Sequence, residues 1–158
     1  MKLFTDLKNI FQNKFKDRSL KGEMKILVAF PPNIKQIAEK FGLTVEQAKN
    51  LLYAYGDTIY NPGNHKISRD LIVHETTHSM RQGKNIEAWW KKYLNDSEFR
   101  IMEELEAYTN QYKAFCEDQK DRNMRAKFLH RIATDVSGPV YGNMLSFKDA
   151  REVIIKCQ

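Results

Sequence analysis

The chain has 158 residues, 42% of them hydrophobic, and a formal net charge of +6. This length allows one domain with its own core and little more. No apolar run approaches the roughly 18 residues that span a bilayer, and two distant cysteines indicate neither a disulfide framework nor a CxxC site. We therefore expect a cytoplasmic protein with reduced thiols, and the scattered charges do not favour a membrane or nucleic-acid partner.

The N-terminal segment has the spacing of an amphipathic helix. Apolar residues recur every three or four positions among lysines: Leu3, Phe4, Leu7, Ile10, Phe11 and Phe15. Such a helix usually covers the protein's own core, although it can also dock on a partner. We expect a helical arm over 1–23, with a possible docking partner, and a single domain over 24–158.

Two helices are predicted after the first strand. Residues 24–30 predict a buried strand, which two prolines end. Residues 33–55 predict two short helices joined at Gly42, with Thr44 able to cap the second. This outline is that of a helix-turn-helix, so a DNA-binding regulator is one alternative, although an ordinary helical hairpin is the commoner use of the pattern.

A β-hairpin is predicted next, around the turn "PGN". Its strands would cover 57–61 and 64–68. With the strand at 24–30 they would form a small sheet packed on the following helix. The predicted fold class is therefore α+β, mostly helical, with one small sheet.

The stretch "LIVHETTHSM" places His74, Glu75 and His78 in an HExxH pattern. Ser68 as N-cap and Gly83 as C-terminal stop predict a helix of about fourteen residues. Side chains at i and i+4 share a helix face, so both imidazoles can bind one zinc ion. The glutamate beside the first histidine can then act as a general base.

A third ligand is needed, because a short motif also arises by chance. A metzincin would continue with a glycine and a third histidine, which do not follow His78 at the required spacing. A later helix instead has several glutamates and a predicted buried stripe of Ile101, Leu105, Tyr108, Tyr112 and Phe115. Glu104 lies at the edge of that stripe, whereas Glu98 lies at the start of the helix, and Glu103 and Glu106 are expected to face solvent.

At this point the chain resembles the gluzincin zinc metallopeptidases, which pair HExxH with a glutamate on a following helix. "ELEAY" is similar to the Glu-x-x-Ala pattern of several small gluzincin groups, and Glu104 follows His78 by 26 residues. The resemblance, which covers about residues 57 to 116, implies a minimal zincin-like domain. It also implies one zinc ion bound by His74, His78 and Glu104, Glu75 as general base, and a peptide or protein substrate.

The resemblance implies further site residues. An oxyanion donor would come from beyond the third ligand, where His130 and Tyr141 are the available types. The strand before the HExxH helix would pair with an extended substrate, here through Asn64, His65, Lys66, Ile67 and Ser68. Tyr108 stands where many members have the Asp or Asn that orients a ligand, so this chain departs from the family there.

The sequence leaves two interpretations open for a group of aromatic residues and for one arginine. Trp89, Trp90 and Tyr93 can grip a substrate, but their helical spacing favours core packing. Arg100 is predicted either to pair with Glu104 or to be a solvated helix residue.

A wider string of residues resembles small uncharacterised proteins of tailed bacteriophages, which implies the host cytoplasm or a virion as location. One alternative function is therefore a catalytically silent structural or host-interacting protein that retains the metal site. The other is the DNA-binding regulator acting through 33–55.

Overall fold

The computed structural model describes residues 22–156, so all but the end of the predicted arm lies outside the described residues. Within this range the predicted α+β class is confirmed. The strands are β1 (Lys25–Leu27), β2 (Tyr53–Tyr55) and β3 (Thr58–Tyr60). The helices are α1 (Ile34–Phe41), α2 (Val45–Lys49), α3 (Arg69–Gln82), α4 (Ile86–Asn95), α5 (Ser97–Asp118), α6 (Arg122–Val136), a 3-10 helix (Pro139–Tyr141) and α7 (Phe147–Lys156). From residue 22 to 156, no helix is both long and apolar enough to cross a membrane.

The sheet has the order β1-β3-β2, with β1 parallel and β2 antiparallel to β3. β2 and β3 form a tight hairpin around Gly56, whose φ of 61° suits a residue without a side chain. The predicted strand over 64–68 is therefore wrong, and its place beside β3 is taken by β2. After β3, the side chain of Asn61 bonds both the N–H and the C=O of His65, so the chain folds into a loop there and does not return as a strand.

The strand expected over 24–30 is present as β1 but is not buried. Ile26 is 48% exposed and Val28 is 61% exposed. The physical reason is position: β1 is an edge strand, and α3 packs on β2 and β3 instead. Short apolar runs therefore do not by themselves distinguish a central strand from an edge strand.

The segment 33–55 is two short helices followed by a strand. Gly42 ends α1 in the left-handed conformation, and Thr44 caps α2 in a capping box with Gln47. The second helix has only five residues, and the hydroxyl of Tyr53 donates to the carbonyl of Ala48 at its end. The helix expected to continue through 55 is thus replaced by β2.

The central packing unit is the antiparallel pair α3 and α5. At one end of this pair Arg69 bonds Glu117 and Asp118, and at the other end Arg81 bonds Glu103. A first core cluster joins α5 to α6 and α7 and includes the predicted stripe: Ile101, Leu105, Tyr112, with Tyr108 and Phe115 partly buried. A second cluster joins α4 to α1 and the sheet and contains the predicted core aromatics Trp89, Trp90 and Tyr93.

Candidate metal centre

Two residues of α3 and one of α5 converge where these helices face each other. The Nε2 atoms of His74 and His78 are 3.2 Å apart. Glu104 places one carboxylate oxygen 3.5 Å from Nε2 of His74 and the other 3.3 Å from Nε2 of His78. The three residues are only 3–8% exposed. The structure thus brings together the three ligands that the sequence predicts.

These separations are close to those between neighbouring donor atoms around one metal ion. Ligand bonds of 2.0–2.1 Å to a central ion place neighbouring donor atoms about 3.3–3.4 Å apart. Each histidine nitrogen faces a different carboxylate oxygen of Glu104, and one ligand atom from each of the three residues lies within 4.8 Å of the other two. The three residues can therefore hold a metal ion.

The electrostatics of this cluster favour a positive charge at its centre. Burial opposes charge on Glu104, but His78 and His74 hold the pKa of this carboxyl well below its usual range. Burial also opposes charge on His78, yet Glu104 raises the pKa of this imidazole above its ordinary value. The carboxylate of Glu104 therefore favours a proton on His78, and a metal ion competes with that proton for the ring nitrogen.

His74 has a hydrogen-bonded partner behind it, on the side away from the metal position. Its Nδ1 lies 2.9 Å from Oε1 of Gln111, and Nε2 of Gln111 donates to Asp70 at 2.9 Å. Tyr108, four residues after Glu104, packs its ring against that of His74 in a T-shaped contact with centroids 4.7 Å apart. Sequence reasoning missed Gln111, although its spacing of two turns from Glu104 on one helix face was a usable signal.

Each oxygen of Glu104 has a phenol partner. The hydroxyl of Tyr93 donates to Oε1 at 2.5 Å, and that of Tyr141 reaches Oε2 at 3.3 Å. Burial and the charge of Glu104 raise the pKa of both phenols well above the usual value, so they remain donors at neutral pH. Tyr141 is thus at the site as an oxyanion candidate must be. His130 is not: it is exposed on α6 and packs on Phe147 at 5.0 Å.

Glu75 lies beside the ligands and faces β2. Burial raises its pKa above the usual value, while His74, His78 and a backbone hydrogen bond from Ala54 act in the opposite direction. Its exposed fraction is 7%. A buried carboxyl with a raised pKa next to a metal position is suited to accept and return a proton.

The outer edge of β2 is occupied by α3. The amide of Gln82 donates to the carbonyl of Ala54 and accepts from the N–H of Gly56, both at 2.8 Å. Ser79 donates to the carbonyl of Gly56. The strand edge next to Glu75 is therefore already paired by side chains.

The predicted substrate-binding strand is absent. The residues assigned to it form an irregular loop, mostly exposed, after the Asn61 turn: Asn64, His65, Lys66, Ile67 and Ser68. A loop of this kind has no regular row of backbone groups with which an extended peptide can pair.

Glu103 is buried, so the expectation that it faces solvent is wrong. It is 1% exposed and accepts hydrogen bonds from Arg81 and from the indole of Trp89. Glu106, which was also expected to face solvent, is partly buried and pairs with Arg81, whereas Glu98 is exposed in the first turn of the helix. The buried arc of α5 is wider than the apolar stripe because α3 and α4 cover two sides of the helix.

Arg100 takes neither of its two predicted roles. It is buried and donates to the carbonyls of Tyr93 and Leu94 at 2.6 and 3.3 Å. These are carbonyls at the end of α4 that no helical N–H satisfies. Arg100 thereby fixes α4, and with it the Tyr93 hydroxyl, relative to α5.

The chain was compared with family models, with curated proteins and with solved structures. None of the three comparisons finds a match. Functional assignment therefore depends on the geometry and chemistry of the site.

Proposed function

We propose that this protein is a zinc-dependent metallopeptidase of the gluzincin type. The observation that supports this is the convergence of His74, His78 and Glu104, each offering a buried ligand atom within 4.8 Å of the others, with Glu75 close enough to interact with all three. Two histidines and one glutamate are a donor set used by catalytic zinc sites, which keep a fourth position open. His74, His78 and Glu104 would hold one zinc ion per chain.

The chemistry divides between the ion and the protein. When bound, zinc supplies Lewis acidity, which polarises a carbonyl and lowers the pKa of water. Glu75 takes up the proton from the attacking water and delivers it to the leaving amine. Tyr141 keeps its proton at neutral pH and presents its hydroxyl next to Glu104, where it can donate to a developing oxyanion.

A specific observation favours a second candidate, a catalytically silent protein that retains the metal site for stability or interaction. The ligands are almost fully buried, and the β2 edge beside Glu75 is already bonded by Gln82 and Ser79. A peptidase that holds its substrate by strand addition needs that edge free. A DNA-binding regulator is not favoured, since α2 has five residues and the side chain of Gln47 is engaged in a cap.

The test separates metal binding from proteolysis. Purified protein is analysed for zinc, and cleavage of a denatured, fluorescently labelled protein is followed. We expect about one zinc ion per chain in the wild type, its loss in His74→Ala, and retention of zinc in Glu75→Gln.

Proteolysis in Glu75→Gln should fall by about 10²- to 10⁴-fold, because the general base is removed. Glu98→Gln is the matched control, because it changes an exposed glutamate away from the ligands. Zinc content near zero in the wild type would reject the metal site. Zinc without any cleavage would instead select the silent alternative.

A further inference from the structure

We propose that Asp70 and Gln111 form a relay that fixes the tautomer of His74 and directs the lone pair of its Nε2 at the metal position. The relay connects the first turn of α3 to α5 and back to α3. The proposal depends on the metal site of the proposed function and not on proteolysis.

The hydrogen-bond chemistry leaves one arrangement. An ionised carboxylate only accepts, so Asp70 requires the NH₂ of Gln111 to point at it. The carbonyl oxygen of Gln111 then faces Nδ1 of His74, and since that oxygen also only accepts, Nδ1 has to carry the proton. In the neutral ring, Nε2 is left with a free lone pair, and this is the atom that lies 3.2 Å from Nε2 of His78.

The burial of Gln111 and Asp70 means that the relay, and not solvent, determines the tautomer of His74. Gln111 is 2% exposed and Asp70 is 9% exposed, so bulk water does not readily replace either partner. His78 differs, because its buried Nδ1 has no hydrogen-bond partner among the described residues. Of the two histidine ligands, His74 is therefore the one whose tautomer and ring orientation are set by an outer partner.

The relay also sets how much charge reaches the metal ligand. A carboxylate bonded directly to a ligating imidazole raises its basicity. Here a neutral amide separates the charge of Asp70 from His74. His74 is therefore oriented through a neutral amide, without a direct bond to a carboxylate on its Nδ1 side.

The experiment compares variants that break, loosen or reverse the relay. Gln111→Met removes the amide at similar length. Asp70→Asn permits the amide of Gln111 to turn over, because an asparagine can donate as well as accept. The double variant Asp70→Asn with Gln111→Glu retains the hydrogen-bond chain but moves the carboxylate next to His74.

The matched control is Asn110→Leu. It removes a neighbouring amide of α5 that donates to Thr77 of α3, outside the metal cluster. Three readouts are used: zinc affinity by chelator competition, the visible spectrum of the Co²⁺ form, and ¹⁵N NMR of the imidazoles in metal-free protein at a pH where they are neutral.

We expect Gln111→Met to weaken zinc binding by about 10- to 100-fold and to change the Co²⁺ spectrum, whereas Asn110→Leu leaves both unchanged. The zinc affinity of Asp70→Asn should lie between those of Gln111→Met and Asn110→Leu. The double variant should bind zinc at least as tightly as wild type. NMR should find the single ring proton of neutral His74 on Nδ1 in wild type. In Gln111→Met it should find a mixture of the Nδ1–H and Nε2–H tautomers.

The relay is overturned by a proton on Nε2 of His74 in the wild type, or by equal zinc affinity in Gln111→Met and wild type. The NMR result decides this even in a protein that binds no metal. Loss of the proposed function appears separately, as absence of zinc or of cleavage in the wild type.

Discussion

Replacing Arg81 by Met should destabilise the contact between α3 and α5 far more than the same change at Arg69. Glu103 is 1% exposed, and Arg81 binds it at 2.5 and 2.6 Å. In Arg81→Met the carboxylate retains the indole of Trp89 at 3.1 Å but no cation, so a buried charge is left uncompensated. Breaking a buried pair in this way costs about 3–5 kcal/mol.

The lower end of that range applies here, because the Arg81 side chain is 28% exposed and water can partly replace it. About 3 kcal/mol corresponds to a decrease in Tm of roughly 6–12 °C for a chain of this size. Arg69→Met is the control, since it breaks ion pairs at the other end of the same two helices. Its partners Glu117 and Asp118 are more than half exposed, so we expect little change.

Thermal and urea unfolding of the metal-free proteins measure these effects. The double variant Arg81→Met with Glu103→Leu should recover much of the loss, because the buried carboxylate is removed together with its cation, and the bond from Arg81 to the partly exposed Glu106 is lost equally in both variants. Equal destabilisation by Arg81→Met and the double variant would refute the reasoning, as would equal effects at Arg81 and Arg69. In either case the buried ion pair between Arg81 and Glu103 would not be what stabilises the contact between α3 and α5.

The other predictions concern the metal centre. Zinc binding should release a proton from His78 and weaken as pH falls through the raised pKa of that residue, which calorimetry in buffers of different ionisation enthalpy measures. In metal-free protein, the raised pKa of His78 means that its protonated form stabilises the fold. This contribution is complete below the ordinary pKa of 6.5 and is lost as pH rises through the raised folded value. Unfolding scans across this range should therefore find a Tm contribution that decreases with rising pH. Tyr93→Phe removes a donor to Glu104 and should weaken zinc binding about 10-fold, with unchanged affinity contradicting the contact. Tyr141→Phe should lower kcat more than it raises KM at unchanged zinc content; an effect on KM alone would assign it to substrate binding.

The convergence of the three candidate metal ligands could be predicted because each of their patterns is local. His74 and His78 share a helix face by spacing alone, and Glu104 lies at the edge of an apolar stripe on its own helix. Gln111 was missed because the residue it bonds lies on another helix; its spacing of two turns from Glu104 indicates a shared helix face but does not identify that partner. Glu103 was misjudged because the stripe argument assumes one covered side, whereas α3 and α4 cover α5 in addition to α6 and α7.

The strand error has a different origin. β2 and β3 have three residues each, which is too short for alternation to identify a partner. The side chain of Asn61 decides that the chain turns away after β3, and no propensity scale represents such a contact. The tyrosines of β2 favoured a strand but followed a helical pattern without an obvious stop.

The bonds from Gln82 to β2 have a consequence for solubility. One amide side chain meets a carbonyl and an N–H two residues apart, as a residue of an added parallel strand would. The helix α3, which carries two of the three candidate metal ligands, thereby also shields one edge of the sheet from intermolecular pairing, a common route to aggregation. Substituting Gln82 by Ala should therefore make the protein self-associate at high concentration while its three metal ligands remain in place.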